Sequence, residues 1–158
     1  MTDNEHETKM ARPRMAAGAL FFDASDRLLL VEPSYKDYQD IPGGYVEQGE
    51  STREACVREV REELGIEPSI GRRLVVDWAP NPGEGDKVLY LFDGGRLHTD
   101  HCQRIVLQAE ELRGYDFHSA ELIPDLTIPR LSRRITAGIQ ARMTGLTAYL
   151  ENGVSLET

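Results

Sequence analysis

Six glutamates fall within the seventeen residues from Glu47 to Glu63, and three of them, Glu59, Glu62 and Glu63, share one side of an expected helix. Helical neighbours lie three and four residues apart, so the carboxylates at 59, 62 and 63 converge. Like charges placed this way repel and destabilise an isolated helix by a few tenths of a kcal/mol per pair. A hard divalent cation removes that repulsion, because Mg²⁺ takes its oxygen ligands from a few carboxylates together with substrate phosphates. The cluster points to metal-assisted phosphate chemistry. Arg58 stands four residues after Glu54 and four before Glu62, where its planar fork is expected to hold a carboxylate in position.

The element that carries these residues is well signalled. Ser51 is a good N-cap and Glu54 follows three residues later, which makes a capping box. Cys56, Val57, Val60 and Leu64 form an apolar stripe for the core, and Gly65 stands where a left-handed stop is expected. Upstream, Ile41-Pro42-Gly43-Gly44 interrupts regular structure, and its two glycines let the backbone pass close to a metal or phosphate.

Around that helix, Met15 to Phe22 suits a buried strand, Asp23 to Asp26 a turn, and Arg27 to Val31 the returning strand. Gly71 to Trp78 and Lys87 to Phe92 read as strands joined by a Pro/Gly-rich loop. Arg104 to Leu107 and Gly114 to Phe117 read as further short strands, and Leu131 to Met143 as a second helix. Residues 1–14 are expected to be a disordered tail and 151–158 a C-terminal tail, with Tyr149-Leu150 packing back before it. Residues 15–150 then form one domain.

A chain of 158 residues can bury one sizeable core. Its net charge of −9 argues against a nucleic-acid polymer as partner, since phosphate backbones are bound by an excess of lysine and arginine. No apolar run approaches the ~18 residues of a membrane span. Cys56 and Cys102 fit no ligand spacing and read as reduced thiols, consistent with a cytoplasmic protein.

The stretch from Gly44 to Ile66 resembles the Nudix hydrolase signature at every fixed position. That signature reads glycine, five residues, glutamate, seven residues, Arg-Glu, an aliphatic, any residue, Glu-Glu, any residue, glycine and an aliphatic. Here it is Gly44, Glu50, Arg58-Glu59, Val60, Glu62-Glu63, Gly65 and Ile66, nine specified positions over twenty-three residues. Ile41-Pro42-Gly43 and Glu47 also resemble the usual lead-in. Asp40 departs from it, because many relatives carry an aromatic there.

The resemblance implies an α+β fold, an αβα sandwich with mixed β-sheet and a catalytic loop-helix-loop. It implies hydrolysis of a small-molecule diphosphate with Mg²⁺, or Mn²⁺ in its place. Glu59 and Glu63 lead as metal ligands beside Gly43, with Glu62 shared between metal and base. Arg58 orients, and Gly44, Glu47 and Glu50 support.

Glu110 and Glu111 are either a late acidic ligand or loop surface. Trp78 is either core edge or a base-stacking platform, and His98 and His101 bind metal only if they face each other. Pro80 and Pro82 lie near where ADP-ribose-type relatives carry a proline. The substrate class expected is a nucleoside diphosphate derivative (a nucleotide sugar, ADP-ribose-like compound or nucleoside triphosphate), with a prenyl diphosphate as alternative. Other members sense nucleotides without cleaving them; those are expected to show a degraded acidic motif or a DNA-binding domain, and neither is present. Substrate-contacting residues and the choice between monomer and homodimer stay open.

Overall fold

The computed structural model describes residues 2–156. Its strands are β1 (Arg14–Phe22), β2 (Leu28–Pro33), β3 (Gly43–Tyr45), β4 (Arg73–Ala79), β5 (Lys87–Arg96), β6 (Leu112–His118), β7 (Ala148–Glu151) and β8 (Val154–Ser155). The α-helices are α1 (Asp3–Lys9), α2 (Thr52–Leu64), α3 (Thr99–Gln103), α4 (Ile123–Leu126) and α5 (Pro129–Thr144). The strands run in the order β6-β2-β1-β5-β4-β7-β8, with β3 beside β1. β1 is parallel to β5 and β4 to β7, while the other pairs are antiparallel, so the sheet is mixed.

Strand β1 explains why the sheet is covered on both faces. It is buried at every residue from 17 to 22, and a strand buried on both sides reads as a continuous apolar run. Side chains alternate, so Ala17, Ala19 and Phe21 pack with Cys56, Val60 and Leu64 of α2. Leu20 and Phe22 pack instead with Leu131 and Ile135 of α5. Strand β2 divides likewise, with Leu29 and Val31 on the α2 side and Leu28 and Leu30 on the α5 side. Two helices on opposite faces of a mixed sheet make the expected αβα sandwich.

Three local expectations change. Residues 3–9 form α1, because Thr2 and Glu5 complete a capping box; none of its residues is buried, so it stands apart from the core. Arg104 to Leu107 is not a strand. Its backbone instead serves the end of α2, where the Val106 N–H donates to the Leu64 carbonyl at 2.9 Å. The C-terminal segment does not fray at 151. Asn152 and Gly153 take positive φ of 53° and 76° and turn β7 back into β8, as an Asn-Gly pair does in a two-residue hairpin. Thr158 and residue 157 lie outside the described residues.

Candidate active site

The loop before α2 is built around two glycines. In β3, Gly43 and Gly44 pair with Gly18 and Ala17 of β1. A Cβ on Gly43, whose φ is +155°, would lie 2.4 Å from the Ala17 carbonyl oxygen. A Cβ on Gly44 would lie 2.5 Å from the carboxylate of Glu59. Both distances are below any real contact, so the missing side chain of Gly43 lets β3 lie against β1 and that of Gly44 lets the acidic helix approach β3. The helix itself begins and ends as its sequence indicates, with the Ser51/Glu54 capping box and Gly65 left-handed at φ 66°.

Arg58 organises the exposed side of the site. Its Nε donates to Glu50 Oε2 at 2.7 Å and its Nη2 to Glu50 Oε1 at 3.0 Å, a two-pronged grip. Nη1 donates to Glu59 Oε1 at 2.9 Å and more loosely to Glu62 Oε2 at 3.3 Å, and Nη2 also donates to the Tyr45 carbonyl at 3.0 Å. Glu47 stands at 3.8 Å. The expected link to Glu54 is absent from these bonds, because that carboxylate accepts from the Ser51 N–H in the capping box. The bond from Arg58 holds the Glu50 carboxyl below its usual range, and the surrounding carboxylates, Glu50 first, push the guanidinium's own pKa upward.

Glu63 lies on the buried side. It stands seven residues after Cys56, which places it on the same helical face, and only 7% of it is exposed. Its Oε2 accepts from the Gly43 N–H at 3.2 Å, and no cationic side chain among the described residues pairs with it. Burial drives its pKa up to about 8, with the charges of Glu59, Asp40 and Glu111 adding to that. Glu59 is half-buried and is also shifted upward by desolvation, against the pull of Arg58. Glu62 is half exposed. Among the described residues, no three His, Cys, Asp or Glu side chains stand ready-grouped as a metal cage. The carboxylates share the helix face but are splayed between Arg58 and the interior.

Glu63 and Gly43 open onto a cavity of about 340 Å³. Asp40 and Glu111 line it as well, and both reach Glu63 electrostatically. Glu111 therefore faces the same cavity as Glu63, whereas the backbone of Glu110 ties Ser34 at the surface through a 2.9 Å bond. Pro80 lines the cavity, but Trp78 and Pro82 do not. His98 and His101 stand with ring centroids 5.8 Å apart, and His101 Nδ1 accepts from the His98 N–H.

Asp40, Glu111 and the cavity wall come from distant segments, beyond the reach of local spacing. Glu50, the partner of Arg58, is a fixed position of the motif, but helical spacing does not reach it, eight residues away.

Residues 12–137 match the family model of the NUDIX domain. The chain is 28% identical over 120 residues to the Bacillus subtilis protein named "Putative 8-oxo-dGTP diphosphatase", covering 75% of each chain. It is 31% identical over 83 residues to the ADP-ribose pyrophosphatase of Methanocaldococcus jannaschii, covering 48% of this chain and 49% of that one. Against the crystal structure of the MutT protein from Methanosarcina mazei the TM-score is 0.68 at 26% identity, over 87% of this chain and 99% of that one. With its motif carried on the loop-helix-loop just described, this chain belongs to the Nudix hydrolase family.

Proposed function

We propose that this protein hydrolyses a diphosphate linkage in a nucleoside diphosphate derivative, with Mg²⁺ as its metal and Mn²⁺ able to replace it. The observation that carries the reading is Glu63, a buried carboxylate without a cationic partner among the described residues, opening onto the same cavity as Gly43. A lone carboxylate in that environment is costly to ionise. A hard cation offsets the cost, and the side-chain-free strand at Gly43 and Gly44 leaves room for it beside Glu59. The donor set fits. Glu59, Glu62 and Glu63 would hold the ion together with the Gly43 backbone, supported by Glu47 and Glu50.

A divalent cation there supplies charge neutralisation at the phosphate oxygens and makes water easier to deprotonate. This chain's own residues do the rest. Arg58, braced by Glu50, fixes the rotamer of Glu59 and leaves Glu62 only loosely bound. Glu62, half exposed and least committed, is the carboxylate free to accept a proton from the attacking water. The nucleotide class is supported by the names of two relatives, "Putative 8-oxo-dGTP diphosphatase" and "ADP-ribose pyrophosphatase".

A panel of nucleoside triphosphates, nucleotide sugars, ADP-ribose and prenyl diphosphates, assayed for product with Mg²⁺, tests the reading. Release of a nucleoside monophosphate from at least one nucleotide is expected. Turnover confined to prenyl diphosphates, or nucleotide binding without turnover, would overturn it.

A further inference from the structure

The cavity that reaches Glu63 is also lined by Arg134 of α5, a guanidinium only 8% exposed. Its Nε donates to Oδ2 of Asp77, which is fully buried on β4. The other oxygen of Asp77 accepts from the Gly153 N–H at 3.0 Å, in the turn between β7 and β8. Arg133 holds the same turn through the Asn152 carbonyl at 3.0 Å. Arg134 is thus fixed in orientation by a carboxylate that is itself fixed. A guanidinium has five N–H donors, and no bond to the remaining four is found among the described residues.

Those nitrogens are open to the cavity rather than sealed inside the fold, so a ligand bound there can meet them. The nature of that ligand follows from the charge. Asp77 already neutralises Arg134, so the pair offers donors without net positive charge. That suits a neutral carbonyl oxygen better than a second phosphate. Leu89 of β5 pairs with Asp77, and Ala16 of β1 with Leu89, so these two apolar residues line the cavity on the same stretch of sheet, with Leu131 of α5 also in the lining. A slot of this kind takes a planar ring.

We propose that Arg134, held by Asp77, reads a carbonyl on the edge of the substrate's nucleobase, so that the protein prefers carbonyl-bearing bases such as guanine over adenine. The inference rests on the nucleotide reading given above. Guanine presents two acceptors, O6 and N7, to a guanidinium fork, whereas adenine replaces O6 with an amine whose donors oppose those of Arg134.

The test is calorimetric titration of the full chain with GMP, IMP and AMP in EDTA, alongside the hydrolysis panel. GMP and IMP are expected to bind at least ~10-fold more tightly than AMP, the scale of one good bidentate contact. Arg134→Lys keeps the ion pair with Asp77 but loses the fork, and it should bring the preference below ~3-fold. Equal binding of GMP and AMP, a preference for AMP, or a preference that survives in folded Arg134→Lys would overturn the assignment. IMP keeps the test decisive if that variant does not fold, because IMP binding as weakly as AMP would trace any selectivity to the 2-amine instead. Hydrolysis without base preference removes Arg134 alone. No nucleotide binding and no nucleotide turnover removes both readings together.

Discussion

Arg58 grips both carboxylate oxygens of Glu50, at 2.7 and 3.0 Å, and from that brace extends Nη1 to Glu59 at 2.9 Å. Glu50 precedes the helix and Glu59 lies inside it. One guanidinium therefore ties the loop to the acidic face and sets where Glu59 stands. Without it, Glu50, Glu59 and Glu62 would repel one another with no paired cation among the described residues.

Arg58→Lys keeps the charge but cannot bridge two carboxylates with a planar fork. We expect kcat to fall while KM stays within a few-fold, because Arg58 acts through Glu59 and not on substrate. Glu50→Gln should produce the same pattern in weaker form. Steady-state kinetics resolve it. A large rise in KM with kcat preserved would assign Arg58 to ground-state substrate binding.

Replacing Glu59, Glu62 or Glu63 singly by Gln preserves size while removing charge. A loss of at least ~10²-fold in kcat is expected at each, the range typical of acid–base and electrostatic roles. Thermal stability should hold or rise slightly as like-charge repulsion drops. Unchanged turnover at any one position would remove that residue from the site. Excess chelator should abolish activity in the unaltered protein, and Mg²⁺ or Mn²⁺ should restore it.

The two glycines of β3 should fail in different ways. In Gly44→Ala the new methyl meets the end of the Glu59 side chain at 2.5 Å. A side chain can shift, so the fold should survive with the melting temperature within a few degrees. The displaced carboxylate should lower kcat by ~10²-fold, the scale of a misplaced catalytic group. In Gly43→Ala the methyl meets backbone, the Ala17 carbonyl oxygen at 2.4 Å. Backbone cannot yield without breaking the β1–β3 pairing, so stability should fall along with activity. Equal melting temperatures for the two variants would contradict this contrast.

Legibility in the sequence tracks locality. The Ser51 cap and the Gly65 stop are local to α2 and are found where spacing puts them; of the expected apolar stripe Cys56, Val60 and Leu64 are buried, while Ala55 takes the place expected for Val57. The buried alternation of β1 is equally plain because the strand is apolar on both faces. What spacing cannot deliver is tertiary. Glu50 reaches Arg58 across eight residues of loop and helix, whereas counting by helical turns selects Glu54. Glu111 and Asp40 meet Glu63 only after β6 has paired with β2 and the loop after Pro33 has folded back. The Thr2/Glu5 capping box and the Asn152-Gly153 turn were local and legible, yet a terminal position and polar composition mask such signals.

Glu63 should make the metal-free protein's stability depend on pH in an unusual direction. Its carboxyl is raised from an ordinary 4.5 to about 8 in the fold. A group with a raised folded pKa binds its proton more tightly in the native state than in the unfolded one. Its contribution is therefore complete below the unfolded pKa and is lost as pH climbs through the folded value. In EDTA, wild type should lose stability relative to Glu63→Gln as pH rises from about 5 to about 8, since the variant has no proton to lose there. Saturating Mg²⁺ should remove or reverse that trend, because the cation stabilises the ionised form that burial disfavours. Melting curves of both proteins across this range, with and without Mg²⁺, supply the comparison. A wild-type-minus-variant difference that stays flat with pH in EDTA would mean that Glu63 ionises normally and is not held protonated by its burial.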